Sequence, residues 1–222
     1  MIDTIVDLRQ INPFATRWVR PGAVPYCFGA GANAAQLLER LRDGGWRGAI
    51  VGPHGSGKST LLATLVHAIE EKGIRVQSIL QRDGQRRLPR DILSRIRSRA
   101  KIGSTRHKKE CGLPNELLIV DGYEQLSWWW QRRLSAICRR NHYGLLVTAH
   151  RENSVGSFSI LFRTAPELAT VQYLVDHVLP SHGGAIHPDD VATAFTQNKG
   201  NVREALFSLY DLFQQRRSSG RR

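Results

Sequence analysis

The sequence predicts an α/β fold: a doubly wound parallel sheet, followed by a small C-terminal helical lid. Three observations carry this. Short apolar runs, at 49–51, 74–80 ("IRVQSIL"), 117–120 and 145–149 ("LLVTA"), alternate with segments of helical spacing. Strands buried on both faces and joined by crossover helices produce that alternation. A glycine-rich loop links the first run to the first long helix. The final stretch, "HPDDVATAFTQNKGNVREALFSLYDLFQQRR", carries helical periodicity alone.

Taken in order, residues 11–31 ("INPFATRWVRPGAVPYCFGAG") hold too much Pro and Gly for a long helix and are expected to form an ordered arm. Residues 34–41 ("AAQLLERL") predict a short helix feeding the first core strand. After strand 49–51, Leu61, Leu62, Leu65, Val66 and Ile69 share one face of a helix over 58–71 that Gly73 ends. Strand 74–80 leads to a helix over 91–100, then strand 117–120, a helix over 127–140 and strand 145–149. The resulting organisation is an arm with its short helix at 1–44, a core at 45–165, a lid at 166–217 and a basic tail at 218–222.

At 222 residues the chain is long enough for one sizeable core plus a smaller unit. No apolar run approaches the ~18 residues of a membrane span. The opening "MIDTIVDLRQ" carries acids where a secretory signal has a basic start, so a cytoplasmic location is expected. Cys27, Cys111 and Cys138 are widely spaced without a Cys-x-x-Cys pair, which fits reduced thiols. The net charge of +13 fits a polyanionic partner, nucleic acid first, and equally a merely solvated basic surface.

The loop Gly52-Pro53-His54-Gly55-Ser56-Gly57-Lys58-Ser59-Thr60 fits the pattern G-x-x-x-x-G-K-[ST]. Gly52, Gly55 and Gly57 let the backbone wrap a phosphate with its N–H groups inward. The helix that follows presents its positive end to the anion. Lys58, expected to be an exposed loop residue, can reach the β- and γ-phosphates, and Ser59 can offer its hydroxyl to Mg²⁺. Asp121 ends a nearly continuous apolar strand, the position from which a carboxylate can hold a magnesium water.

With that loop, strand and acid, the chain resembles the P-loop NTPases, and within them the AAA+-like ATPases. The resemblance spans about residues 45–217. It implies ATP with Mg²⁺ as ligands, with ATP favoured over GTP because no Asn-Lys-x-Asp follows the later strands. It implies that "GLLVTAH" (144–150) is a sensor strand, where Thr148 or His150 touches the γ-phosphate or the attacking water; an ordinary strand end is the alternative for Thr148. It also implies that Arg203, in the first turn of a helix capped by Asn201, is a second sensor; the alternative is a surface arginine. Glu124 departs from the family pattern, in which a Glu directly follows the Asp. Gly122 occupies that position, so Glu124 either curls back to polarise water or caps the next helix or pairs with Arg132 or Arg133. Arg151 and Arg163 are candidate arginine fingers. A P-loop small-molecule kinase and a non-hydrolysing nucleotide switch stand as alternative readings. Output through a protein partner or a homo-oligomer is expected.

From Arg82 to Lys109 the chain carries eleven Lys or Arg against two acids, Asp83 and Asp91. Arg90, Arg97 and Lys101 fall opposite the apolar face made by Ile92, Leu93, Ile96 and Ala100. That stripe is either a nucleic-acid backbone track or a solvated face. Trp128, Trp129 and Trp130 are consecutive, so Trp130 is expected in the core with Leu134, Ile137 and Cys138. Trp128 is expected either beneath another element or on a contact surface.

Overall fold

Among the described residues five short runs become strands: β1 (Arg47–Val51), β2 (Arg75–Leu80), β3 (Glu116–Asp121), β4 (Gly144–Ala149) and β5 (Ile160–Arg163). They form one sheet in the order β2-β3-β4-β1-β5, and every pairing is parallel. Among the described residues seven helices accompany them: α1 (Ala34–Asp43), α2 (Lys58–Glu71), α3 (Arg90–Ile102), α4 (Trp128–Arg140), α5 (Leu168–Val178), α6 (Pro188–Gln197) and α7 (Val202–Ser219). This computed structural model describes residues 12–15, 20–29, 31–102, 112–114, 116–179 and 186–219. No helix among them is long and apolar enough to cross a membrane.

The chain forms two compact units. One draws on Phe28–Pro53 and Leu62–Thr164, the other on Met1–Cys27, His54–Leu61 and Ala165–Arg222. In the first unit the sheet centre is dry: Leu117, Leu118, Ile119 and Val120 of β3 and Leu145, Leu146 and Val147 of β4 are at most 1% exposed. Burying each such side chain stabilises the fold by about 1.5–3 kcal/mol. Ile92, Leu93 and Ile96 of α3 and Leu134, Ile137 and Cys138 of α4 complete this core, with Trp130 packed against it. Burial pushes the Cys138 thiol up to about 12, so it is an inert apolar group.

At the start of β3 the Glu116 carboxylate is buried. Arg75 stands 3.0 Å from one oxygen and the Tyr143 hydroxyl donates to the other at 3.2 Å. Partners of this kind let a charge sit where an isolated one would be expelled.

The second unit is helical. α6 opens with Pro188 at its first position, and the Asp190 carboxylate accepts the His187 N–H at 2.8 Å. The same carboxylate takes two bonds from Arg216 of α7, at 2.5 and 2.8 Å, which hold it below the usual aspartate range. The described start of the arm docks on α7. Asn12 Nδ2 donates to the Tyr210 carbonyl at 2.9 Å, and Phe14 meets Phe213 edge to face at 6.2 Å.

The structure adds β5, a four-residue edge strand that the sequence pattern did not mark. Its burial runs intermediate, buried, intermediate, exposed, without the long apolar run of the central strands.

Leu118→Ala removes a fully buried side chain from the middle of the sheet. It is expected to destabilise the protein by about 2–5 kcal/mol, measured as a lower urea midpoint at unchanged slope.

Candidate nucleotide-binding site

The loop over 52–60 leaves β1 and ends in the first turn of α2. Gly55 (φ +71°) and Gly57 (φ +88°) occupy the left-handed region that side chains avoid. Packing constrains them as well. A Cβ on Gly55 would collide with the Asn201 carboxamide, and one on Gly57 would stand 3.0 Å from the Tyr26 ring. The first bond of the helix runs from the Leu61 N–H to the Gly57 carbonyl at 2.9 Å. The N–H groups of Lys58, Ser59 and Thr60 therefore lie in its opening turn, the end that favours an anion.

Pro53 and His54 are exposed, whereas Ser56 is 4% and Lys58 9% exposed. The expectation of an exposed Lys58 is thus corrected: the residue is buried beside the loop. A buried cation there suits a phosphate more than a surface lysine would, because low dielectric strengthens the attraction.

In the same unit, Asn201 Oδ1 accepts the N–H groups of Arg203 (3.1 Å) and Glu204 (3.3 Å), and so caps α7. Gly200, at φ +80°, makes the turn that brings this cap round. Arg203 occupies the first turn with its side chain exposed.

The other unit builds an acid cluster at the carboxyl edge of the sheet. Pairing of Val120 with Val147 sets Asp121 beside Thr148. The fully buried Thr148 hydroxyl donates to Asp121 Oδ1 at 2.5 Å and accepts the Gly122 N–H at 3.0 Å. Gly122 is in the left-handed region (φ +83°), and a Cβ there would meet the Gln81 carbonyl oxygen at 2.7 Å. This sharp turn starts the 3₁₀ turn Tyr123–Gln125 and swings Glu124 back over the strand ends. Glu124 Oε1 lies 2.5 Å from His150 Nδ1, an electrostatic contact without hydrogen-bond angles, and both carboxylate oxygens are shielded from water. Arg132 and Arg133 are turned elsewhere, onto the rings of Trp128 and Trp130.

The structure therefore gathers Asp121, Glu124, Thr148 and His150 into one cluster, and Lys58, Ser59 and the loop glycines into another with Asn201. Of the candidate arginine fingers, Arg163 is held by Glu152 at 2.5 and 3.1 Å, while Arg151 is exposed. Of the basic stripe, Arg97 is exposed on α3, and the side chains of Arg90 and Lys101 lie outside the described residues. Cys111 lies outside them too. Tyr26, beside the loop, was not singled out; a tyrosine within a Pro- and Gly-rich arm was its one signal.

No family model and no curated protein matches the chain. Solved structures do match. The Orc1 protein of Aeropyrum pernix, determined in complex with DNA, superposes with a TM-score of 0.60 at 18% identity, over 93% of this chain and 65% of that one. A RuvB variant of Thermotoga maritima gives 0.55 at 13% identity, over 84% of this chain and 66% of that one. These neighbours share the all-parallel five-strand sheet with flanking helices and further helices at the C-terminus. The chain has the AAA+ P-loop fold. AMPPCP-bound DnaA of Aquifex aeolicus shares the AAA+ fold at a TM-score of 0.50 and 16% identity, over 88% of this chain and 68% of that one. The chain spans about two thirds of the length of these AAA+ structures.

Burial, with smaller contributions from Glu167 and Cys27, pushes the Tyr26 phenol from 10.0 up to about 12. Folding thus favours the neutral ring. Tyr26 contributes no pH dependence below about 10, and its stabilisation is lost as pH rises from there through about 12. Tyrosinate absorbance should show late transitions that include those of Tyr26 and the similarly buried Tyr123. Tyr26→Phe should remove one of them.

Proposed function

We propose that this protein binds ATP with Mg²⁺ and hydrolyses it, using the cycle as a conformational switch of the AAA+ type. The observation that carries the reading is the loop itself. Left-handed glycines, a helix N-terminus and a buried Lys58 come together where an anion is favoured and a side chain is not. The residues suit the group: N–H groups over 52–60 and the Lys58 ammonium would hold phosphate oxygens, and Ser59 and Asp121 each carry the kind of hard oxygen that Mg²⁺ would take. Bound Mg²⁺ would neutralise charge on the phosphates.

The chain's own groups then divide the work. Thr148 fixes the Asp121 carboxylate through a buried hydroxyl. Glu124 is the carboxylate that accepts a proton from the attacking water, and His150 beside it sets its direction. Arg203, exposed at the head of α7, reports the state of the phosphates to the lid. The protein acts in the cytoplasm, through a protein partner, a second copy of itself or nucleic acid. The nucleic-acid track includes Arg90, Arg97 and Lys101. Neighbours of the same fold were determined with DNA and with AMPPCP, which supports both ligand classes.

Lys58→Ala should abolish ATP binding, measured by calorimetry, while far-UV circular dichroism stays that of the native fold. Retained affinity would remove the phosphate-loop reading. Glu124→Gln should keep ATP affinity and lower turnover by at least about tenfold. Equal turnover in both proteins would leave Glu124 a structural residue.

A further inference from the structure

The surface of α4 does not belong to the core or to the acid cluster. Trp128 is 56% and Trp129 74% exposed, among the largest apolar side chains left open to water. Their rings meet edge to face at 4.6 Å, so each buttresses the other and neither is buried by the contact. Arg132 stacks over the Trp128 ring at 5.1 Å. Trp129, Arg132, Arg133, Ala136 and Arg140 follow one exposed helical face, and over 127–140 there are four arginines and no acid.

A second basic segment is tied to this face. The Ser127 N–H, just before α4, donates to the Arg86 carbonyl at 3.1 Å. That bond sets Arg86 and Arg87, both exposed, at the tryptophan end of the helix. Asp91, the nearest acid on α3, is already neutralised by Arg95 at 3.0 Å. The result is an open aromatic platform rimmed by arginines with little compensating negative charge.

We propose that this platform binds single-stranded nucleic acid, the bases stacking on Trp129 and Trp128 and the backbone phosphates pairing with Arg86, Arg87, Arg132 and Arg133. Charge decides the occupant. An apolar protein partner would have to bury this guanidinium rim, whereas a polyanion neutralises it. Ring faces decide the strand state. Stacking on an exposed indole needs an unpaired base, and it tolerates any sequence because every base has a π-face. This deepens the nucleic-acid part of the function proposed above and needs no ATP.

The test is fluorescence anisotropy of labelled 20-nucleotide oligo-dT and oligo-U with the full chain, without nucleotide, against a duplex of equal length. Both single strands should bind more tightly than the duplex. Trp129→Ala should weaken them by roughly 5- to 150-fold, the range one stacked base supplies, with thermal melting unchanged because the ring is exposed. Trp129→Phe should restore much of the loss. Replacing Arg132 and Arg133 by Gln should lower the log–log salt slope by about 0.7 for each phosphate contact removed. Wild-type preference for duplex, or unchanged oligo-dT and oligo-U affinity in Trp128→Ala/Trp129→Ala, would overturn the proposal. So would concentration-dependent self-association abolished by Trp129→Ala without any oligonucleotide binding, which would assign the face to a second copy. Arg97→Gln tests the α3 stripe separately: loss there with none in the tryptophan variants supports the stripe and rejects the platform.

Discussion

One buried hydroxyl organises the carboxyl edge of the sheet. Thr148 Oγ1 gives its proton to Asp121 and takes the N–H of Gly122, so a single atom joins the end of β4 to the end of β3 and to the turn beyond it. The register of the two strands makes this possible. A slip of one residue would send Thr148 to the other face and leave the Asp121 carboxylate without that partner. The turn at Gly122 then depends on the same bond, and the direction of Glu124 depends on the turn. A chain of short-range constraints thus places a carboxylate three residues past the strand where it meets His150.

Much of this was legible in the residues. Central strands buried on both faces must be apolar throughout, so the runs that became β1, β3 and β4 were visible as runs, while edge strand β2, with one buried position, showed through Val76, Ile79 and Leu80. The glycine loop was visible because its spacing answers a chemical need. Edge strand β5 was not marked: Ile160, Leu161 and Phe162 are apolar, but the run stops at Arg163 and only Leu161 is buried. The partner of Glu124 was hidden for a different reason. His150 lies 26 positions away in sequence, and only strand pairing brings the two together. The Trp128 exposure was one of two open readings that helical periodicity left; the angle about the helix axis was clear, the presence of a cover was not.

The charge balance reads differently once the pairs are placed. Glu116, Asp91, Glu152 and Asp190 each face an arginine, so four of the nineteen acidic residues are already spoken for within the fold. The surplus of positive charge therefore sits on surfaces, above all on α3, α4 and the segment between β2 and α3. Long-range attraction towards polyanions follows from that distribution more than from the total, because nearby opposite charges cancel each other's field at a distance.

Gly55 and Gly57 carry a consequence for how relatives of this chain would diverge. Asn201 blocks any side chain at the first, and Tyr26 crowds the second, quite apart from the left-handed backbone both require. Selection for folding alone would therefore keep both glycines in a lineage that had ceased to bind nucleotide. In such a lineage Lys58, which no turn geometry demands, would be the position to drift first. An intact glycine pair among homologues records the packing of the arm and the lid; the lysine that opens the helix is the trace of the ligand.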